Sequence, residues 1–190
     1  MNIRFNEQPT PPTIYPMTIK SVLTHCLDNS YHILSNVTLT GYPDTIAQIV
    51  LSEYGIFVLE LRDWSGRISC IGDSWVNNGT MMPSPSRQVK DAARAIRAIL
   101  LASGDLPFPT LWVDGIVVLL NADIDLKTHV AHVPILQLTE VCAYLTTTHT
   151  GFQFSQQELL DIQQILRNHQ RTHRITKRNQ VKSEVIETIQ

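Results

Sequence analysis

The chain opens its recognisable pattern with Met17–Leu27, where Ile19, Val22, Leu23 and Cys26 recur at helical spacing. Tyr31–Leu39 then alternates apolar and polar residues as a half-buried strand does. Thr45–Leu51 and Ile56–Arg62 are apolar runs rich in β-branched and aromatic residues, and each reads as a buried strand. Ser52-Glu53-Tyr54-Gly55 between them is a tight connection, so the two form a hairpin. Arg67–Ile71 is a fourth strand, followed by a loop containing Trp75, Asn77, Asn78 and Gly79. Ser86–Ser103 is the clearest helix. Val89, Ala92, Ala93, Ile96, Ile99 and Leu100 make its apolar stripe, Arg87, Lys90, Arg94 and Arg97 lie mostly off it, and Gly104 ends it.

Leu111–Leu120 is almost continuously apolar, the mark of a central strand covered on both faces. Val130–Leu136 reads as a further short strand and Thr139–Leu145 as a short helix. Ser155–His169 is a second clear helix, opened by the capping-box pattern Ser155-Gln156-Gln157-Glu158. This order predicts an α/β fold with a mixed β-sheet flanked by helices. The organisation expected is an irregular, proline-rich arm over 1–16, a domain over 17–154, and a C-terminal helical segment over 155–190.

Composition narrows the class without naming a function. A chain of 190 residues, 43% hydrophobic, is large enough for one domain with a sizeable core. No apolar run is long enough to span a bilayer, and the proline-rich start does not resemble a secretory signal, so the cytoplasm is the expected location. Cys26, Cys70 and Cys142 are odd in number and widely spaced. That favours reduced thiols, mostly in the core, over a disulfide framework or a zinc knuckle. Charge is uneven: residues 1–166 carry 9 Lys+Arg against 15 Asp+Glu, a net of −6, and residues 167–190 carry 6 against 2, a net of +4. An acidic body is a poor non-specific binder of nucleic acid, whereas the tail attracts phosphates.

The chemistry concentrates on the third strand. Alternation places Ile56, Val58, Glu60 and Arg62 on one face and Phe57, Leu59 and Leu61 on the other. A carboxylate and a cation are therefore same-face neighbours at the end of a core strand, where charge needs a partner or a role. The run Gln48–Gly66, with Trp75, Pro85-Ser86-Arg87-Gln88 and the apolar strand Val113–Leu120 after it, resembles the nuclease-related domain (NERD) family of the PD-(D/E)xK nuclease-like fold. The resemblance covers roughly residues 17–135.

The resemblance implies a restriction-endonuclease-like core and a phosphodiesterase centre. There an aspartate on one hairpin strand and the glutamate of E-x-K on the next bind Mg²⁺ or Mn²⁺, and the lysine positions water. Mg²⁺ suits such a site because it takes oxygen ligands and keeps several waters. Glu60 stands at the glutamate, but Arg62 replaces the lysine and Ala47 replaces the aspartate. A symmetric turn centred on Glu53 and Tyr54 makes Ala47 the cross-strand neighbour of Glu60. The acidic residue expected to open the first helix is also missing from Tyr15-Pro16-Met17-Thr18.

Pro43-Asp44 offers a substitute carboxylate, but on a regular strand Asp44 faces away from Glu60, and a β-bulge is needed to turn it inward. Arg62 stays protonated and cannot serve as a base. It either clamps phosphate or pairs with Glu60 or Asp63.

Three functions follow. The first is a nucleic-acid-associated binding or regulatory protein with a degenerate metal site. The second is an active Mg²⁺- or Mn²⁺-dependent nuclease using Asp44, Glu60 and Arg62, with Asp44 and Glu60 as metal ligands. The third is a protein-interaction subunit docking through the apolar stripe Val181, Val185, Ile186 and Ile189 on a partner or a second copy. Candidate nucleic-acid contacts are Gln88, near a helix N-terminus, and the basic run Arg167, Arg171, Arg174, Lys177, Arg178 and Lys182.

Other candidates have plainer readings. His129 and His132 have poor metal geometry in a strand, and His169 and His173 lack a third ligand. Trp64, Trp75 and Trp112 can stack on bases but more often pack in a core or lid. Asp73, Asp114, Asp123 and Asp125 fit turn and strand-end roles.

Overall fold

A helix lies at the start of the described chain because Thr18 caps it, its hydroxyl accepting from the Ser21 N–H at 3.3 Å. This helix, α1 (Ile19–Cys26), leads into β1 (His32–Thr38), β2 (Thr45–Ser52) and β3 (Gly55–Arg62). The computed structural model describes residues 18–104, 111–149, 151 and 153–170. The expected N-terminal arm, and most of the tail with Arg171, Arg174, Lys177, Arg178 and Lys182, lie outside the described residues.

The hairpin forms in the expected register, with Ser52 opposite Gly55 and Gln48 opposite Leu59. β4 (Gly66–Ile71), β5 (Ser74–Asn77) and β6 (Thr80–Met82) follow, then α2 (Pro85–Ser103). After it come β7 (Val113–Leu119), β8 (Ile124–His129), β9 (Ile135–Gln137), a 3₁₀ turn (Leu138–Glu140) and α3 (Val141–Thr147). A last helix, α4, spans 156–170. Its predicted capping box is present: Ser155 Oγ accepts from the Glu158 N–H at 3.3 Å, and the Glu158 carboxylate accepts from the Ser155 N–H at 2.7 Å.

The strands make two mixed sheets, ordered β1-β2-β3-β7-β9 and β6-β5-β4-β8. The polypeptide leaves the first sheet twice in step. Leu120 N–H donates to Arg62 C=O at 2.9 Å, and Gly66 N–H donates to Asp123 C=O at 2.9 Å. β3 therefore passes into β4 alongside the passage of β7 into β8, and both pairs are parallel. On one face of the first sheet, α1 and α3 bury Leu23, Val141 and Leu145 against Val50, Phe57, Leu59, Ile116 and Val118. On the other, α2, α4 and the second sheet bury Val89, Ile96, Leu159, Ile162, Ile68 and Trp75 against Ile49, Ile56, Val58 and Val117. The predicted two-faced alternation of β3 is thus what the packing uses.

Three expectations are corrected. The segment read as a loop with Trp75, Asn77, Asn78 and Gly79 is the β5–β6 hairpin. Asn78 and Gly79 turn it with φ of 49° and 82°, the left-handed pair that matches strand twist, and Trp75 is fully buried. Of the strand expected over Val130–Leu136, only Ile135 and Leu136 are extended, in β9; β8, which the sequence reading did not include, ends at His129, where Val130 at φ 53° interrupts the extended backbone. Finally, Cys26 and Cys142 form a disulfide joining α1 to α3, with Cα atoms 6.1 Å apart and a sequence separation of 116. Only Cys70 is a free buried thiol. Packing of α1 against α3 brings together two cysteines that spacing alone did not relate.

Candidate nuclease-type site

The site is built where β3 leaves the core under the first turn of α2. Glu60 and Arg62 share the α2 face of β3, as alternation requires. Ser84 caps α2, accepting from the Arg87 N–H at 3.2 Å, and Pro85 occupies its first turn. That geometry brings Gln88 down over Arg62. The Arg62 guanidinium donates to the Glu60 carboxylate, to the Gln88 side-chain oxygen and to the Leu61 carbonyl. It also lies over the Trp64 ring, 5.7 Å from the centroid. Tyr42 approaches from the β1–β2 connection, its hydroxyl donating to the Gln88 backbone carbonyl at 3.2 Å.

The electrostatics follow from burial. The Glu60 and Arg62 side chains are only 17% and 20% exposed. Burial raises the Glu60 carboxyl above the usual carboxylate range, Arg62 opposes the rise through charge and hydrogen bond, and Asp44 adds to it. Tyr42 is pushed up to about 12, first by burial and then by the charges of Asp44, Glu60 and Asp91.

Asp44 occupies an exposed bend just before β2. Strict alternation would place Ile46 and Ile49 on opposite faces, yet both belong to one buried cluster. Across the ladder Leu34 and Val37 do the same, and Asn36 between them has φ 53°. The face of the sheet switches at this point, and the β2–β3 ladder ends there, at Gln48 and Leu59. One further pair in the same register sets Ala47 opposite Glu60. Asp44 makes no hydrogen bond or ion pair with Glu60, but its charge is near enough to be felt there.

The residues present do not fit a Mg²⁺ or Mn²⁺ site as they stand. Glu60 is the one carboxylate at the centre, Arg62 occupies it, and Ala47 offers no donor. Among the described residues, no three His, Cys, Asp or Glu side chains converge as a metal site. What the cluster can do is present a guanidinium at a helix N-terminus, an arrangement suited to phosphate.

The other candidates scatter. Arg167 lies on α4, away from this cluster in sequence and element, and His169 Nδ1 lies 3.1 Å from the Ile165 carbonyl in its own helix. Trp75 donates from Nε1 to Ser86 Oγ at 2.9 Å and packs edge-on to Trp64, so both are core or rim residues. Trp112 is 57% exposed. His132 Nδ1 is 3.5 Å from Asp73, which also holds Lys90 at 2.7 Å. Asp114 accepts from the Tyr144 hydroxyl at 3.3 Å. Tyr42 is a site residue that the sequence reading missed, whereas Trp64, read there as a base-stacking or packing residue, lies against Arg62. The signal for Trp64 was its place two residues after Arg62, on the same face if the strand continues.

No curated protein and no solved structure matches the chain. The family model of the nuclease-related domain matches residues 17–120, from before α1 to the end of β7, and so takes in Glu60, Arg62, Gln88 and the elements that carry them. That stretch is more than half of the chain, and with the mixed α/β core it establishes that the chain belongs to the nuclease-related domain (NERD) family.

Proposed function

We propose that this protein is a nucleic-acid-associated binding or regulatory member of its family, with the nuclease centre converted to a phosphate-binding cluster. The single observation that carries this reading is the closed set Glu60–Arg62–Gln88. A cation stands where the lysine would be, bonded to the carboxylate that would hold the metal. With Ala47 across the hairpin, Glu60 has no second carboxylate on the paired strand. A guanidinium is a fork of donors and not a base, so Arg62 serves as a clamp. The basic run Arg167, Arg171, Arg174, Lys177 and Arg178 belongs to the same proposal as a second source of phosphate contacts.

One observation favours a second reading, an active divalent-cation-dependent phosphodiesterase. The face switch near Ala47 and the charge of Asp44 felt at Glu60 put a second carboxylate in the neighbourhood. The two readings separate in one experiment. Plasmid DNA and RNA are incubated with the full chain in Mg²⁺ or Mn²⁺, beside Glu60→Ala and Asp44→Ala. The binding reading expects no cleavage that depends on Glu60. It also expects Arg62→Gln to weaken oligonucleotide binding about tenfold or more, the loss of a charge-assisted bond to phosphate. Metal-dependent cleavage abolished by Glu60→Ala and Asp44→Ala would establish the second reading and end the first.

A further inference from the structure

Residues 1–166 contain 9 lysines and arginines, and 4 of them, Arg87, Lys90, Arg94 and Arg97, lie on α2. Their spacing of three, four and three residues places them on one face of the helix, the face turned from the core. In a body of net negative charge this is a concentrated cationic stripe. Lys90 is held by Asp73 and Arg94 by Asp91. Arg97 has no ion pair or side-chain hydrogen bond among the described residues.

The far end of the stripe borders a cleft of about 310 Å³ whose lining includes Lys90, Arg94, Arg97, Trp112 and His132, with Asp114, which accepts from the Tyr144 hydroxyl, as the acid among them. Trp112 stands just before β7 and is 57% exposed. β7 runs parallel to β3, with Val113 opposite Ile56 and Leu119 opposite Arg62. The cleft therefore lies at the opposite end of the strands from Glu60 and Arg62, and Gln88 and Arg97 are nine residues, roughly 13 Å, apart along α2.

We propose that this cleft is a second nucleic-acid contact, holding one nucleotide of a single strand with its base on Trp112 and its phosphate against Arg94 and Arg97. It rests on the nucleic-acid-associated reading above and extends it to a surface outside the Arg62 cluster. Charge complementarity selects a polyanion. The exposed indole beside the cations selects one with aromatic faces, because stacking rewards a base and not a carboxylate side chain. A strand occupying both sites would run along α2, with Lys90 between them.

The test is fluorescence anisotropy of a short labelled oligothymidine titrated with the full chain without divalent cation. The same titration is repeated with an abasic oligonucleotide of equal length. Trp112→Ala is expected to weaken binding of the thymidine strand at least about fivefold and to erase the preference over the abasic strand. Trp112→Phe is expected to keep that preference. Arg97→Gln is expected to weaken both strands and to lower the slope of log affinity against log salt by about 1.

Trp112→Ala and Arg97→Gln binding as the parent does, while Arg62→Gln binds less, would overturn the cleft and leave the broader reading standing. A parent that binds neither strand would overturn both. Displacement of the strand by polyglutamate as readily as by unlabelled oligothymidine would identify an acidic-protein surface and overturn the nucleotide assignment.

Discussion

Glu60 decides how the cluster answers to pH. Burial raises its carboxyl in the folded protein, and Asp44 adds to the rise against the opposing pull of Arg62. A raised folded value means that the native state holds the proton to higher pH than the unfolded chain does. Stability from this group is therefore fully present below the ordinary carboxylate pKa and is lost as pH rises through the folded value. Glu60→Gln cannot ionise, so it removes this dependence. Urea unfolding of parent and variant from pH 4 to pH 7 should show the difference between them moving in favour of the variant as pH rises. A flat difference would mean that Arg62 cancels the effect of burial, and one that moves toward the parent would mean that Arg62 outweighs it and that ionised Glu60 stabilises the fold. The sequence made Glu60, Arg62 and Gln88 visible because strand alternation and helix capping are local rules. Tyr42 completes the cluster from the β1–β2 connection, and its approach depends on tertiary packing that no local period encodes.

Between elements, the bridge from α1 to α3 is the feature that sequence spacing concealed. An odd set of widely separated cysteines reads as free thiols, but the two helices share one face of the first sheet and bring Cys26 and Cys142 into bonding range. Closing a loop of 116 residues restricts the unfolded chain strongly, and cutting such a bridge typically costs about 2–5 kcal/mol. Cys142→Ser should lower the unfolding free energy by that amount. Thiol titration in denaturant should find one thiol before reduction, Cys70, and three after it, since the chain holds 3 cysteines. Three thiols before reduction would show that the bridge does not form. Such bridges persist in oxidising compartments, so the expectation of a cytoplasmic chain with reduced thiols loses one of its two supports. The β5–β6 hairpin was within reach of sequence, because Asn78-Gly79 is a strong turn signal. Its strands are too short, at 4 and 3 residues, to announce themselves by alternation. The long stripe of α2 was legible throughout, yet the cations beside it gain meaning only when β7 sets Trp112 at their end.

For the molecule as a whole, the open question of construction is whether α4 is an appendage or part of the core that carries both proposed contacts. Sequence organisation separates residues 155–190 from the domain before them. The packing joins the start of that segment to the core: Phe154, Leu159, Ile162 and Leu166 are buried in the cluster that contains Val89 and Ile96 of α2. Two hydrogen bonds fasten its ends, one between backbones and one from a side chain. Phe154 N–H donates to Glu53 C=O at 2.7 Å, and Thr40 Oγ1 donates to His169 C=O at 3.4 Å. Burying three leucine or isoleucine side chains contributes about 5–9 kcal/mol, comparable with the about 5–15 kcal/mol that holds a typical domain together. A chain ending at residue 154 should therefore lose its cooperative unfolding transition. Ile162→Ala in the full chain should cost about 2–5 kcal/mol. Urea unfolding followed by circular dichroism checks both. A truncated chain that unfolds at the parent's midpoint would show that α4 is a separate segment. Loss of the transition would mean that the surface of α2, from Gln88 to Arg97, is held in place from behind by α4. Binding measured on a chain cut at 154 would then report on unfolding rather than on the tail.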